Sequence, residues 1–408
     1  MEPNNKENYV KAVKVGVIGV TGRGGSLAKS LHLPGGRSQV VAGMDVFEEA
    51  LPMFKRDVNP DAFATTRLDE FLSQDLDAVV VGSPDHTHEK YVLAAFQAGK
   101  HVFCEKPLGI TTRSCDKMLE AWQKSGRKFM VGFNMRYMNI FRVMKDIADS
   151  GVLGEIKTVW VRHFVGYGGD WYYHDWHANR KNSTGLLLQK ASHDIDMIHW
   201  ITGRYTKRVA AMGSLMYYGG NKPNDLICPN CPEKETCVEF YDPFPNTQTA
   251  RKANRMNMCV FRKEVDVEDS STVMMELDGG IQAMYTQCHF TPDYFRNYVF
   301  IGTEGRMENL DDSSKVAVKL RRRSKRWKNL SSDQVHDVRG AEGTHGGADP
   351  VICRDFIDMI LDDKTPISTP LAGRMSVAVG CAATESLRGG WKPVPIPALP
   401  TSLAKKVF

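Results

Sequence analysis

The chain has 408 residues, 42% of them hydrophobic and 25% charged, with a formal net charge of +5. This is ordinary globular composition, and the length is long for one domain and fits two. A chain of this size can bury a large core without disulfide staples, and no run approaches the ~18 apolar residues of a membrane helix.

The charge is unevenly placed. Lys315 to Lys328 holds eight Lys or Arg and no acid; without them 45 basic residues face 48 acidic ones. Such a run reads as a solvated hairpin face, and no nucleic-acid partner is expected. Residues 1–14 are polar and lack the apolar core of a signal peptide, so the expected setting is the cytoplasm, with no membrane partner. Nine cysteines without a secretory signal read as reduced thiols.

In chain order, residues 1–13 form a tail, and a first domain runs over 14–133. Lys14 to Ile18 is a β-branched strand, followed by the turn Gly19-Val20-Thr21-Gly22-Arg23-Gly24-Gly25 and a helix to Leu31. The dinucleotide fingerprint G-x-G-x-x-G would need glycine at 21, where Thr21 stands. The spacing of Gly19, Gly22 and Gly24 (or Gly25) still lets backbone amides, with Thr21 and Arg23 alongside, approach a pyrophosphate. The next strand, Gln39 to Met44, ends in Asp45, an acid about 20 residues past the turn, as the fingerprint asks. Its carboxylate would accept from ribose hydroxyls and repel a 2′-phosphate, and no basic residue adjoins it, so NAD is expected over NADP.

Asp77 to Val81 is a further strand. Ser83, Pro84, His86 and His88 lie on the segment leaving it and complete the cofactor side together with Glu105 and Lys106. A helix over Glu89 to Ala98 stops at Gly99. The stretch Gly99-Lys100-His101-Val102-Phe103-Cys104-Glu105-Lys106-Pro107 is the next strand and its exit. Lys106 therefore points into the crevice where such sheets bind ligands, and Lys106–Pro107 is a candidate cis bond. Thr111 to Ser125 is helical and Phe129 to Gly132 a last strand. Alternation of this kind predicts a doubly wound parallel sheet.

Pro84, His88, Gly99 to Val102 and Glu105-Lys106-Pro107 resemble the signature of the glucose–fructose oxidoreductase and inositol dehydrogenase family. Asn134, Arg136-Tyr137 and Gly151 to Ile156 are similar to that family's crossing into its second domain. The resemblance implies a nicotinamide cofactor, a sugar or polyol substrate, and Lys106 beside the reactive hydroxyl.

The remainder, 134–408, reads as an α+β domain. Strands are expected at Ile156 to Phe164, Val209 to Tyr218, Ser271 to Leu277, Ile281 to His289, Tyr298 to Gly302 and Val316 to Arg321, forming a large mainly antiparallel sheet. Helices are expected over Phe141 to Ser150, Lys190 to Thr202, Val351 to Leu361 and Ala372 to Leu387, with Asp349-Pro350 as N-cap and N1. The resemblance implies helices and an active site on one sheet face and a homodimer or homotetramer contact on the other.

Within this domain, a helix from Lys190 puts Lys190, His193 and Asp194 on one face, able to pass a proton. The family places a His at position 193 and often an Asp at 189. Gln189 stands there and Lys190 is added, a pattern closer to enzymes of glycosides and keto-sugars. Lys106, His193 and Lys190 are the catalytic candidates. Arg136, Tyr167, Trp171, Trp176, His177, Asp194 and His345 are the substrate candidates, since aromatic faces suit a pyranose and histidines its hydroxyls. Tyr172, Tyr173 and His174 fall in the same aromatic stretch.

The polar insert at about 221–259 carries Cys228-Pro229-Asn230-Cys231, Cys237 and Cys259, a spacing suited to a structural zinc. Cys104 and Cys115 read as core thiols. Three functions remain open at this level. They are an NAD-dependent dehydrogenase of a sugar, polyol or glycoside hydroxyl, a redox-assisted glycosidase, and a non-catalytic sugar-sensing or scaffold protein.

Overall fold

The computed structural model describes residues 12–166, 168–242, 256–311, 314–321, 331–341 and 343–404. The tail at 1–11, Tyr167 and most of the basic run lie outside the described residues.

Six short strands form the first sheet: β1 (Val13–Ile18), β2 (Ser38–Met44), β3 (Phe63–Thr65), β4 (Ala78–Val81), β5 (His101–Cys104) and β6 (Phe129–Val131). Their order is β3-β2-β1-β4-β5-β6, every pairing parallel. The chain order reverses between β1 and β4, where such sheets open a crevice at their carboxyl ends. Both faces are covered, so the strands are continuously apolar; Val79, Val80 and Val81 are all sealed from solvent. Helices Gly22–Leu31, His88–Gln97 and Thr112–Ser125 connect them. The last starts on a capping box, with Ser114 N donating to Thr111 Oγ1 at 3.0 Å.

The second sheet has nine strands: β7 (Ile156–Phe164), β8 (Thr206–Ser214), β9 (Ser270–Leu277), β10 (Gln282–Cys288), β11 (Phe295–Gly302), β12 (Gly305–Asn309), β13 (Lys315–Leu320), β14 (Gln334–Asp337) and β15 (Val394–Pro395). Only β7 and β10 pair in parallel; the other pairings are antiparallel. Alternation is clean: Val159, Val161 and His163 point to the helix-covered face, while Trp160 points away and is half exposed. On the covered face, Tyr285, Tyr298 and Phe300 pack with Ile195 and Ile198 of the helix Ser192–Thr202 and with Phe141 and Met144 of the helix Asn139–Asp149. On the bare face, Trp160, Met274 and Met284 are cross-strand neighbours.

After the second sheet the chain returns to the first. The helix Ala348–Leu361 inserts Ile352 and Phe356 into the cluster of Val13, Val15, Leu27 and Phe103. Phe356 meets the Phe103 ring edge-on at 5.5 Å. The helix Pro370–Arg388 then bridges both layers, touching Thr112–Ser125 and Ser192–Thr202 alike.

Two local expectations are corrected. The helix is not continuous from Lys190: a short helix Leu186–Gln189 ends there and a second begins at Ser192, with Ala191 as its N-cap. Asp349 is not an N-cap either. That place falls to Gly347 at φ +75°, because Asp349 is engaged by Arg23. The Thr-Pro start occurs instead at Thr369-Pro370, where Thr369 Oγ1 accepts from Ala372 N at 3.2 Å.

Candidate active site

One cavity of about 1140 Å³ runs from the carboxyl ends of β1, β2, β4 and β5 to the helix-covered face of the second sheet. Its first half is lined by Gly19, Thr21, Gly22, Arg23, Asp45, Ser83, Pro84, His86, His88, Glu105 and Lys106. All of these are sequence candidates for the cofactor. Gly24 is not in the lining. A Cβ there would stand 1.9 Å from Gly19 O, so its role is to let the helix approach the turn. Gly19 needs to be glycine because its φ is +80° and a Cβ would meet Ser83 N at 2.7 Å.

These features fit a dinucleotide. The turn delivers the helix N-terminus at Gly22, whose Cβ position is open space. Arg23 Nη2 is buried with no protein partner, an orphan donor beside that turn. Its other nitrogens are fixed: Nε donates to Glu105 Oε1 at 2.9 Å and Nη1 to Asp349 Oδ2 at 2.6 Å. Asp45 is buried and accepts from Val20 N at 3.1 Å and Phe47 N at 3.2 Å, which fixes the carboxylate at the end of β2. His88 is a strut as well as a wall. Its Nδ1 faces Pro107 O at 2.9 Å and its Nε2 faces Ser83 O at 2.8 Å, tying the β4 exit to the cis Lys106–Pro107 bond.

The two halves meet at Lys106, Lys190 and His193, which all line the cavity. Lys106 Nζ donates to Gln189 O at 3.2 Å, from the exit of β5 to the helix Leu186–Gln189. Burial pushes its pKa below the ordinary lysine value, with Asp85 and Glu105 opposing the shift. Burial also drives Lys190 well down, reinforced by Arg296 and Lys106. Its Nζ lies 5.0 Å from the Tyr172 ring and 5.5 Å from the Tyr294 ring. His193 is held well below the ordinary histidine value, first by burial and then by the cations Lys106, Arg296 and Lys190. It is therefore a neutral imidazole, and its Nδ1 has no protein partner.

The substrate candidates divide. Trp171, Trp176, His177 and His345 line the cavity. Trp176 and His177 stack at 3.7 Å, and Asp175 Oδ1 lies 2.5 Å from His177 Nδ1. His345 stands on a left-handed turn and contacts Asp349 Oδ2 at 3.1 Å. Tyr172 lines the same wall, whereas Tyr173 turns inward to stack on Tyr218 at 4.1 Å.

Arg136 and Asp194 are corrections. Arg136 is buried in a two-point pair with Asp196, at 2.8 and 2.7 Å, and its third nitrogen donates to Ile367 O; it does not reach the cavity lining. Asp194 points behind the site. Its oxygens accept from the Tyr298 and Tyr285 hydroxyls, face His163 Nδ1 at 3.1 Å and pair with Arg296 Nε at 3.4 Å. Burial alone would raise its pKa, but Arg296 and these donors hold it far below the usual carboxylate range. His193 and Asp194 are consecutive in the helix Ser192–Thr202 and leave it about 100° apart, which puts them on different sides. Arg296, Tyr294 and Asn134 line the cavity too. No local pattern marks Arg296 or Tyr294, because only strand pairing brings β11 next to β7.

The four insert cysteines, Cys228, Cys231, Cys237 and Cys259, line one small cavity of about 10 Å³. Among the described residues, however, no group of three or more His, Cys, Asp or Glu side chains is arranged to hold a metal ion. The zinc expectation is thus not met by the side chains as placed. Cys104 and Cys115 are core thiols. No helix among the described residues is long and apolar enough to cross a membrane.

Residues 13–133 match the family described as oxidoreductase, NAD-binding Rossmann fold, and residues 145–396 match its C-terminal alpha/beta domain. The chain belongs to the Gfo/Idh/MocA oxidoreductase family. Within the family, it is 28% identical over 336 residues to the Bacillus subtilis protein YteT, named as an oxidoreductase, covering 74% of this chain and 78% of that one. It is 33% identical over 193 residues to an inositol 2-dehydrogenase of Pseudomonas savastanoi, spanning 47% of this chain and 54% of the relative. Among solved structures, levoglucosan dehydrogenase superposes with TM-score 0.75 at 17% identity, over 95% of this chain and all of that one, 100%. WlbA of Bordetella pertussis superposes with TM-score 0.70 at 18% identity, over 95% and 100%.

Proposed function

We propose that this oxidoreductase uses NAD to oxidise a secondary hydroxyl of a sugar, polyol or glycoside. The observation that carries this is the convergence of Lys106, at the exit of β5, and His193, on the helix Ser192–Thr202, on the cavity that also holds the Gly19–Arg23 turn and Asp45. Levoglucosan dehydrogenase and WlbA, alike in fold, were crystallised with NADH and with levoglucosan and UDP-GlcNAcA respectively. The preference for NAD over NADP rests on Asp45.

When bound, NAD would supply the hydride acceptor. The chain's own residues handle the proton. Lys106, lowered by burial, has access to its neutral amine and takes the proton of the hydroxyl being oxidised. His193, neutral and with a free Nδ1, takes the same proton onward or holds the hydroxyl in place. Gln189 O fixes the direction of the Lys106 amine. Trp171, Tyr172 and Trp176 offer ring faces to a pyranose, and His177 and His345 offer hydroxyl contacts. A panel of polyols, free sugars and glycosides, read by NADH formation, tests this. No NADH from any member would refute the dehydrogenase.

Lys190 favours a second reading. A buried lysine with aromatic neighbours, added where the usual family pattern has none, would donate a hydrogen bond to an enolate beside a newly formed keto group. That would support transient oxidation, elimination of the aglycone and return of the hydride. Aglycone release without net NADH is its signature. We further propose a cytoplasmic protein, with its nine unpaired thiols kept reduced. The bare sheet face with Trp160, Met274 and Met284 is proposed as the contact of a homodimer or homotetramer.

A further inference from the structure

We infer that Cys228, Cys231, Cys237 and Cys259 form a tetrathiolate zinc clasp that braces the substrate wall of the large cavity. The four thiols come from two segments that the backbone already holds together. Cys228 N donates to Asn257 O at 2.7 Å, Cys259 N to Leu226 O at 2.8 Å, and Ile227 and Met258 form an antiparallel bridge. Cys228 and Cys231 close a tight turn, with Cys231 N donating to Cys228 O at 3.1 Å.

The cavity between the thiols, about 10 Å³, is close to the volume one water-sized sphere sweeps. It is lined by the four cysteines with Phe240, Val260 and Phe261, and by one cation and one acid, Lys234 and Glu239. The side chains as placed are four separate thiols. Zinc binding replaces four S–H protons by four Zn–S bonds and draws the sulfurs inward; no oxidant or reductant is needed. Among the described residues of the insert, Val238 is 86% exposed and Phe240 is 42% exposed, so these two side chains add little to an apolar core.

The clasp is coupled to the substrate wall. Met256, Met258 and Asn224, which flank the cysteines, line the large cavity. Arg262, itself buried, donates to Cys259 O at 2.9 Å, to Tyr173 O at 2.5 Å and to Asp175 O at 2.9 Å. Met258 N donates to His174 O at 3.0 Å, and His174 Nδ1 lies 2.6 Å from Met258 O. Fixing the cysteines therefore fixes the segment that carries Trp171, Tyr172, Trp176 and His177. This bracing role rests on the functional reading above; the metal site does not.

Elemental analysis and zinc-edge X-ray absorption on the full chain, purified under reducing conditions from zinc-supplemented medium, test the site without any substrate. We expect one zinc per chain with four sulfur neighbours at about 2.3 Å. Zinc below a tenth of an equivalent, as isolated and after incubation with zinc chloride and reductant, would overturn the site. So would a disulfide between any two of the four in protein alkylated at lysis. Iron in the same thiolates would overturn the choice of zinc. Cys231→Ser, at a partly exposed position, should lose the metal and raise KM for the carbohydrate several-fold, with kcat and the NAD Kd within twofold of wild type. If that variant does not fold, chelator-treated wild type replaces it. Metal loss with an unchanged KM would overturn the bracing role. If no carbohydrate turns over, the metal content and the sulfur shell still decide the site.

Discussion

Replacing Asp194 by Asn separates a structural carboxylate from a catalytic one. In the folded protein Asp194 is fully buried, paired with Arg296 and approached by Tyr298, Tyr285 and His163. The amide keeps one acceptor for a tyrosine hydroxyl but removes the charge. Arg296 is then left in the core without that carboxylate, and breaking such a pair costs about 3–5 kcal/mol. The amide N–H₂ also turns toward His163 Nδ1, which burial holds neutral at a pKa of about 3 and which now donates to the carboxylate. Losing that hydrogen bond adds about 1 kcal/mol. Against a total stability of roughly 5–15 kcal/mol, this is about a quarter or more. In urea, the midpoint should fall with the slope unchanged. Adding Arg296→Met should recover part of the loss, because the cation that faced the carboxylate goes with it. If Asp194→Asn melts like wild type yet loses turnover, the carboxylate acts on substrate and the structural assignment is wrong.

Further outcomes follow from the same geometry. Lys106→Ala and His193→Ala should each lower kcat by roughly two to four orders of magnitude, with NAD affinity little changed by titration. Because burial lowers the Lys106 pKa and the neutral amine is the base, kcat/KM should rise with pH and level off before the ordinary lysine value of 10.5. A rate that falls across that range would exclude the amine as base. Asp45→Ala should narrow the preference for NAD over NADP; tighter NADPH binding by the wild type would overturn the proposed role of Asp45. Asp349 is held far below its ordinary 3.8 by Arg23 and His345, against burial, so its contribution is intact above that value and is lost as pH falls beneath it. Asp349→Asn should therefore flatten the acid limb of a stability–pH curve.

Much of the first sheet was legible because its signals are local. Apolar runs of four to seven residues, a glycine turn and an acid at β2's end each fall within a short window, and β1, β2, β4, β5 and β6 stand within one or two residues of expectation. In the second sheet β7 matches at both ends, and Asp278-Gly279-Gly280 turns between β9 and β10. β12, β14 and β15 went unread because they are short and carry Gly, charged residues or Pro, with pairing supplied by neighbours far along the chain. In the site, the cavity positions of Lys106 and His193 were legible, since a strand exit and a helix start are local events; Lys190, at the end of the helix Leu186–Gln189, lines the cavity beside them. Asp194 and Arg136 were misassigned for one reason: a charged residue near a site motif reads as a ligand, and only the fold reveals Arg296 and Asp196 as their partners. The return of Ala348–Leu361 to the first sheet is likewise a tertiary fact, decided by Ile352 and Phe356 finding Leu27 and Phe103.

The central claim is that Lys106 and His193 flank a carbohydrate carbon from which hydride leaves. Stopped-flow absorbance of reduced nicotinamide, on mixing the NAD-loaded protein with a glycoside deuterated at the oxidised carbon, tests it most directly. The account predicts a reduced-nicotinamide transient in the wild type, slowed by deuterium and slowed further by at least a hundredfold in Lys106→Ala, in line with general acid–base catalysis. A transient of equal rate in Lys106→Ala and wild type, with the isotope effect intact, would contradict it.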